Sequence, residues 1–385
     1  MIAKEQLLAK AFLRHLKELC DFEYTEDMNF TLFGYPKAGK TTLFNILTGA
    51  RIEVTAYEDG KREPNERMCY FPDNRLDKLW RLYPEKKRIA AAVDFIDLAG
   101  ISYGEVKTSL FLNALRKADG LVHVVRGFHN DEIPHAKPVI SPADDIRTME
   151  EELLLADLVS VEGRLEKLEK DLKKAKIPEG EKEKELLVRI RCHLEEGNPL
   201  RECALSEVEE KQIKNFAFLS QKPVLHMVNA DESDIGRLHE LENGFAPDKK
   251  SAAALAFCGK IESEIMEIED EEEKRVFQSE YRLSEPTPGR FFPAALALMG
   301  TIFFYTIGKD EVRAWPVPKD STALKAAGAI HSDIEKGFIR AEVIPYEMLL
   351  GCGSLQAAKE KGAIRLEGKE YIVQDGDIIY FRFAA

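Results

Sequence analysis

Short apolar runs alternate with helical patterns through much of this chain. Four runs have the length and composition of buried strands. They are residues 29–33, 90–97, 121–125 and 223–228. Such runs, separated by segments with helical spacing, are typical of a parallel sheet with crossover helices. The pattern therefore predicts an α/β domain.

A different pattern separates the third run from the fourth. Apolar residues recur there at steps of four and three, which forms a heptad seam of about two and a half repeats. The seam residues are Leu154, Leu158, Val161, Leu165, Leu168 and Leu172. Pro178 and Gly180 break this helix, and a second one follows from about Glu181 to Glu196. We expect an antiparallel hairpin that packs on itself, and a partner-binding coiled coil is the alternative.

The last part of the chain has a third pattern. Strand-like segments joined by turn residues occur at 312–317, 364–366, 371–373 and 378–383. They predict a separate small α+β domain.

Upstream, Ser206 and Glu209 have the spacing of a capping box. The acid-rich stretch 262–275 is interpreted as a solvated helix face.

Residues 34–41 carry the clearest chemical signal. They read Gly-Tyr-Pro-Lys-Ala-Gly-Lys-Thr and fit the phosphate-binding loop, Gly-x-x-x-x-Gly-Lys-Thr. The two glycines let backbone N–H groups face phosphate oxygens, the lysine reaches the β and γ phosphates, and the threonine hydroxyl binds Mg²⁺. A strand before the loop and a helix after it strengthen this interpretation over a glycine turn that binds nothing. The predicted nucleotide contacts here are Gly34, Tyr35, Pro36, Lys37, Ala38, Gly39, Lys40, Thr41 and Thr42.

A second phosphate motif is indicated by Asp97-Leu-Ala-Gly100 at the end of a strand. The Asp97 carboxylate would hold Mg²⁺ together with Thr41, and the Gly100 N–H would sense the γ phosphate. The next residue is Ile101, at the place where Ras-like switches carry a water-orienting Gln. An aliphatic side chain cannot orient water, so we expect slow intrinsic turnover.

Base recognition is predicted at Asn229-Ala-Asp-Glu232. Guanine-specific sites use Asn-Lys-x-Asp, in which the Asp accepts hydrogen bonds from the base. Here Glu232 is one methylene longer and Ala230 replaces the Lys, while Asn229 can still bond a purine edge. Guanine specificity should be weakened, so ATP becomes at least a competitor.

These motifs resemble the YchF/Obg-like ATPases over about residues 28–385. The resemblance also rests on Glu63-Pro-Asn65, Asp73-x-Arg-Leu76, His123-Val-Val-Arg126 and a nearly continuous match through the C-terminal domain, including 311–315, 327–331, 333–342, 365–371 and 373–379. It implies a preference for ATP over GTP. It also implies a C-terminal TGS domain, a β-grasp fold linked to RNA and ribosome contact. Cys258 and Gly259 complete the expected nucleotide contacts.

The chain departs from the family pattern in its loops. Lys37 stands where the family usually has an Asn that helps hold a monovalent cation, and we hypothesise turnover that is insensitive to potassium. The first-switch Thr is replaced near Lys61 and Arg62, and the loop after Gly100 is shorter. His135 lies where a family histidine is proposed to assist hydrolysis. The alternative for His135 is a polar surface residue of a loop without a catalytic role. The expected catalytic residues are Lys40, Gly100 and His135.

Composition sets the limits of these predictions. The chain has 385 residues, a hydrophobic fraction of 44% and a net charge of -13, which argues against a general nucleic-acid coat. Its six scattered cysteines predict reduced thiols in a cytoplasmic protein, and no span or cleavable leader is indicated. We expect a monomer that uses Mg²⁺ and ATP or GTP and contacts the ribosome or RNA through the TGS domain and the arm. The alternatives are a catalytically impaired scaffold and a guanine-specific GTPase; a small-molecule kinase is disfavoured.

The predicted architecture has five parts. They are an N-terminal helical extension (1–27), the first part of a P-loop domain (28–142), a helical coiled-coil insertion (143–205), the rest of the P-loop domain (206–300) and the TGS domain (301–385).

Overall fold

The computed structural model describes residues 28–54, 63–100, 109–131, 133, 139–174, 178–245, 252–283 and 285–384. The predictions made for residues 1–27, Lys61, Arg62, Ile101 and His135 lie outside these residues. The chain folds into two compact units. The nucleotide unit contains residues 28–72 and 92–300, and the C-terminal unit contains 73–91 and 301–384.

The nucleotide unit is built on a six-stranded sheet with the order β2-β4-β1-β5-β6-β7. Its strands are β1 (Met28–Phe33), β2 (Asn65–Tyr70), β4 (Ala92–Asp97), β5 (Gly120–Gly127), β6 (Val224–Ala230) and β7 (Ala252–Phe257). Five of them pair in parallel, and β2 pairs antiparallel with β4 at one edge. The four strand predictions made from apolar runs are confirmed, with β4 beginning two residues later than predicted.

The nucleotide unit also contains helices. They are α1 (Lys40–Thr48), α3 (Ser109–Lys117), α4 (Pro142–Leu172), α5 (Pro178–Glu195), α6 (Glu207–Ile213), α7 (Leu238–Phe245), α8 (Gly259–Glu267), α9 (Glu271–Glu280) and α10 (Thr287–Met299). The capping box predicted at Ser206 and Glu209 opens α6 with both of its hydrogen bonds. Because parallel strands are covered on both faces, central residues such as Leu32 and Val122 are fully buried.

The helical arm consists of α4 and α5. Its seam residues Leu154, Val161, Leu165 and Leu168 pack in one cluster with Leu186, Leu187, Ile190 and Leu194. The two helices therefore pack on each other as predicted. Pro178 occupies the first position of α5 and so begins the second helix, where a missing N–H costs nothing.

The C-terminal unit contains a second six-stranded sheet with the order β11-β10-β12-β8-β9-β3. Its strands are β3 (Lys87–Ile89), β8 (Thr301–Ile307), β9 (Glu311–Pro318), β10 (Phe338–Pro345), β11 (Arg365–Glu367) and β12 (Asp377–Phe383). Its helices are α2 (Asn74–Arg81), α11 (Ala323–Ile330), α12 (Ser332–Lys336), α13 (Tyr346–Cys352) and α14 (Leu355–Glu360). The first and last strands of residues 301–384, β8 and β12, are parallel neighbours, and β8 forms a hairpin with β9. This is the arrangement expected for the predicted β-grasp domain.

Three local differences from the sequence predictions have physical causes. Residues 73–91 lie in the C-terminal unit, because β3 pairs with β9 and Tyr305 donates a hydrogen bond to Asp73. Segment 371–373 forms no strand and contributes only the isolated bridge of Ile372. Glu262 is buried instead of solvated, because its carboxylate accepts hydrogen bonds from the N–H and hydroxyl of Thr287.

Candidate nucleotide-binding site

The loop between β1 and α1 has the backbone curvature that a phosphate cradle requires. Gly34 has a φ of 145° and Gly39 a φ of 102°, both in the region that favours glycine. A side-chain carbon on Gly34 would lie 2.3 Å from the carbonyl oxygen of Val124, and one on Gly39 would lie 2.3 Å from the amide nitrogen of Asn229. Both glycines are therefore needed for steric reasons as well as for conformation. Lys37 is a non-glycine residue with a positive φ of 61° in the same loop.

Lys40 begins the helix that follows the loop and is only 2% exposed. Its ammonium group donates a hydrogen bond to the carbonyl oxygen of Tyr35, 2.9 Å away. The backbone of the loop thus keeps the positively charged ammonium group of Lys40 next to the loop. A phosphate oxygen is a stronger acceptor than a neutral carbonyl, so a bound triphosphate can take over this ammonium group.

Thr41 and Asp97 meet at the ends of α1 and β4. The Thr41 hydroxyl donates to Asp97 Oδ2 at 2.8 Å, and the Asn65 amide donates to the same oxygen at 2.9 Å. Asn65 reaches Asp97 because the two are direct partners in the β2–β4 pair. A hydroxyl and a carboxylate at one point suit the oxygen coordination of Mg²⁺, so both predicted metal ligands fit that ion. The positioning contact from Asn65 was not anticipated.

Asn229 connects two loops of the site. Its amide nitrogen donates to the carbonyl oxygen of Ala38 at 3.2 Å, and its oxygen accepts from the N–H of Gly259 at 3.0 Å. The side chain, which the sequence indicated as a purine contact, therefore fixes the phosphate loop against the loop that begins α8. Cys258, just before that helix, is buried, and burial raises the pKa of its thiol to about 11.

The two acids of the base motif are both engaged by other groups of the protein. Asp231 accepts from the backbone N–H groups of Ser233 and His129, and these bonds lower the pKa of its carboxyl, with Ser233 the larger cause. Glu232 forms an ion pair with Lys260, whose ammonium nitrogen lies 2.5 Å from Oε1. The side chains of Glu232 and Lys260 are 48% and 62% exposed. Local sequence patterns did not indicate Lys260, because it lies 28 residues further along the chain than Glu232.

The structure thus brings most of the predicted nucleotide contacts together. Asn229 bonds both to Ala38 of the loop and to Gly259. Thr42 also lies beside Gly259, because its methyl carbon would be 3.0 Å from a side-chain carbon placed on that glycine. Ala230 is buried at the end of β6, and Gly100 follows β4 by three residues. His135 lies outside the described residues.

The chain matches two known protein families. Residues 29–155 match the family described as "50S ribosome-binding GTPase". Residues 301–384 match YchF-GTPase_C, described as "Protein of unknown function (DUF933)".

Among the described residues, the helices lack the combination of length and apolar character needed to cross a bilayer.

Individual relatives extend the match to nearly the whole chain. It is 40% identical over 361 residues to "Ribosome-binding ATPase YchF" of Bacillus subtilis (strain 168), covering 91% of this chain and 98% of that protein. It is 33% identical over 371 residues to "Obg-like ATPase 1" of Oryza sativa subsp. japonica, covering 94% and 93%. The solved YchF GTPase of Schizosaccharomyces pombe is similar with a TM-score of 0.78 and 27% identity, covering 92% and 98%.

Proposed function

The chain belongs to the YchF family, and from this premise we propose that it is a Mg²⁺-dependent nucleoside triphosphatase that hydrolyses ATP slowly and associates with ribosomes. The observation that carries the proposal is the meeting of Thr41 and Asp97 at 2.8 Å beside a glycine loop that closes on Lys40. This is the arrangement that holds a triphosphate tail and its metal ion.

The residues of the site have separate roles in this proposal. Backbone N–H groups of the loop and the Lys40 ammonium group bind the β and γ phosphates, while Gly100 senses the γ phosphate through its N–H. Thr41 and Asp97 hold Mg²⁺, which when bound neutralises charge on the phosphates. His135 orients the attacking water, because Ile101 cannot. The missing glutamine is the reason for slow turnover.

Selectivity for ATP is supported by the base loop. A guanine-reading carboxylate must be available to accept from the base, yet Asp231 is bonded to its own turn and Glu232 to Lys260. Because Asp231 is held by its own turn and Glu232 is drawn toward Lys260, a guanine would meet weaker acceptors than a guanine-specific site provides, so the preference for GTP is reduced. A guanine-specific GTPase remains the second candidate, because the N-terminal family match is to GTPases.

A scaffold that binds nucleotide without hydrolysis is the other alternative. It is favoured by the replacement of the first-switch threonine near Lys61 and Arg62 and by the short loop after Gly100. Measuring single-turnover hydrolysis of ATP together with its Kd separates the two. We expect slow turnover that falls at least about tenfold in His135→Ala with unchanged Kd. Binding without any turnover selects the scaffold, and unchanged turnover in the variant removes His135 from the mechanism.

Ribosome association is proposed from the printed name of the Bacillus subtilis relative and from the description of the N-terminal family, with the C-terminal unit and the helical arm as the contact surfaces. A monomer in the cytoplasm agrees with that role. Sedimentation of purified ribosomes with the protein tests it. We expect co-sedimentation that depends on whether ATP, ADP or no nucleotide is present. Failure to pellet in all three conditions would remove the ribosome from the proposal and leave the nucleotide site intact.

A further inference from the structure

One face of the sheet in the C-terminal unit points away from that unit's core. Residues directly opposite each other on antiparallel strands project to the same side of a sheet. Ala341 and Phe381 form such a pair and are buried in the core cluster, so the pairs on either side of them, and every second pair beyond, project away from it. Along β10 and β12 these pairs are Ile344 with Ile378, Glu342 with Tyr380 and Arg340 with Arg382. The face thus changes from apolar to charged along the strands.

The apolar end of this face is a pocket of about 310 Å³ between the sheet and α14. Its aliphatic lining consists of Ile307, Ile344, Leu355, Ile364 and Ile378. Two polar side chains of the lining are engaged by other groups: Gln356 donates to Glu360 at 2.7 Å, and Glu342 forms an ion pair with Arg382. Lys359 also lines the pocket and is exposed. The pocket therefore suits an apolar side chain, with a positive charge beside it.

The charged end of the face carries two arginines directly opposite each other, Arg340 and Arg382. Like charges in this position repel and destabilise a sheet. Glu342 neutralises Arg382, whereas Arg340 is exposed and forms no ion pair with any residue that the structure describes. Folding gains nothing from this second positive charge. A bound anion would remove the repulsion and pair with Arg340.

Two exposed apolar side chains lie between the pocket and the arginines. Tyr380 on β12 and Leu366 on β11 are the partners of Glu342 on its two sides, and they are 61% and 60% exposed. Tyrosine and arginine are enriched among the residues that dominate binding at protein interfaces. From Arg340 to Ile344 the strand rises by about 14 Å, which a segment of about four extended residues covers. The face therefore has the size of a short peptide site.

The lining of the pocket favours a peptide over a nucleic acid. A nucleobase in the pocket would place the hydrogen-bonding groups of its edge against aliphatic side chains, and leaving such groups unpaired is costly. A leucine or phenylalanine side chain carries no such groups. Carboxylates also match the fork of N–H donors on Arg340. An acidic segment with one apolar side chain thus satisfies both ends of the face.

We propose that this face of the C-terminal unit is a docking site for an acidic protein segment, whose apolar anchor enters the pocket and whose carboxylates pair with Arg340 and Lys359. The proposal deepens the ribosome contact suggested for the C-terminal unit, and rests on it, by naming a protein segment rather than RNA as what this face binds. Tyr380 and Leu366 pack against the segment between its anchor and its acids. All of these residues belong to one unit, so the site can be tested without nucleotide.

The probe is a synthetic peptide of aspartate and glutamate with one central leucine. Methyl NMR of the isoleucine-labelled full chain detects weak binding, and the pocket signals are assigned by their loss in Ile307→Val and Ile364→Val. We expect the peptide to shift both signals. A peptide with serine in place of leucine, and one with glutamine in place of the acids, should each bind at least about tenfold more weakly.

Two variants remove the other contacts. Tyr380→Ala and Arg340→Glu should each weaken binding of the leucine peptide at least about fivefold. The matched controls are Tyr70→Ala and Arg67→Glu on β2, where Tyr70 is 62% exposed and Arg67 is also exposed. Both should bind the peptide as the wild type does. Since the four side chains are exposed, all four variants should fold, which thermal unfolding checks.

Three results would overturn the proposal: pocket signals that the leucine peptide does not shift, equal binding of the serine peptide, or unchanged affinity in both Tyr380→Ala and Arg340→Glu. Single-stranded oligoadenylate that shifts the same signals at lower concentration than the peptide would also overturn it, because the face would then bind nucleic acid. Peptide binding by a chain that does not pellet with ribosomes would remove the ribosome from the proposed function and still support the docking site.

Discussion

The phosphate end and the base end of the candidate site are held in opposite ways. At the phosphate end, the loop is constrained by buried groups: Lys40 is 2% exposed, Asp97 is 4% exposed, and backbone atoms leave no room for a side chain on Gly34. At the base end, Glu232 and Lys260 form an ion pair in contact with solvent. The contrast indicates that triphosphate binding is fixed by packing, whereas base choice is adjustable through weak surface interactions.

The largest effect is expected at Gly34. In Gly34→Ala the added carbon meets the Val124 carbonyl oxygen at 2.3 Å, so β5 or the loop must move. We expect ATP affinity to fall about 100-fold or more, measured by calorimetry. Gly49→Ala is the control, since Gly49 also has a positive φ but no neighbouring atom within 4 Å of an added carbon. It should lower stability by about 1 kcal/mol and leave the Kd unchanged. Equal losses in both variants would contradict the packing argument.

A large effect on turnover is expected at Asp97. Asp97→Asn keeps an oxygen for the bonds from Thr41 and Asn65 but removes the negative charge. Hydrolysis should fall about 100-fold, and the dependence of ATP affinity on Mg²⁺ concentration should weaken. The measurement is single-turnover hydrolysis over a magnesium titration. The control is Asp94→Asn, the same substitution on the same strand, which should behave as the wild type. If the Asp97→Asn variant keeps the magnesium dependence of the wild type, Asp97 does not belong to the metal site.

A smaller effect is expected at the base end. Two single variants change the acid of the base end. Lys260→Met removes the ion-pair partner of Glu232, and Glu232→Asp shortens the side chain to the length of the aspartate in guanine-specific sites. Because an exposed ion pair contributes at most about 1 kcal/mol, each variant should shift the ATP:GTP affinity ratio toward GTP by about fivefold at most. Parallel titrations with both nucleotides measure this. A ratio that neither variant changes would show that Glu232 does not take part in base choice.

The smallest effect concerns Lys37. If its ammonium group replaces a monovalent cation, wild-type turnover should be equal in sodium and potassium buffers within about twofold. Lys37→Asn, which also suits the positive φ of 61°, should gain stimulation by potassium. A steady-state ATPase assay in the two salts is sufficient. Strong potassium stimulation of the wild type would refute the idea.

How far the sequence predicted the structure depends on the distance between partners along the chain. The phosphate loop and the heptad arm follow from local spacing, and both are found as predicted. The pairing of β3 with β9 could not be predicted, because three residues carry little pattern and their partner lies more than 200 positions away. The burial of Glu262 was also not predicted, because its hydrogen-bond partner Thr287 lies 25 residues further along the chain. Without that partner, an acid-rich stretch is expected to face solvent.

The candidate site shows the same division. Sequence spacing identified Thr41, Asp97 and Asn229 as site residues. It did not indicate that Asn229 joins two loops, nor that Lys260 engages Glu232. Those contacts depend on how strand ends meet at one edge of the sheet, which local patterns do not encode.

Calorimetric titration of the wild-type chain with ATP and with GTP, in the presence and absence of Mg²⁺, tests the central claim most directly. The buried cradle predicts binding of both nucleotides that strengthens with Mg²⁺, and the engaged acids at the base end predict tighter binding of ATP. Tighter binding of GTP would contradict the account of base choice. No heat with either nucleotide in magnesium would contradict the nucleotide site itself.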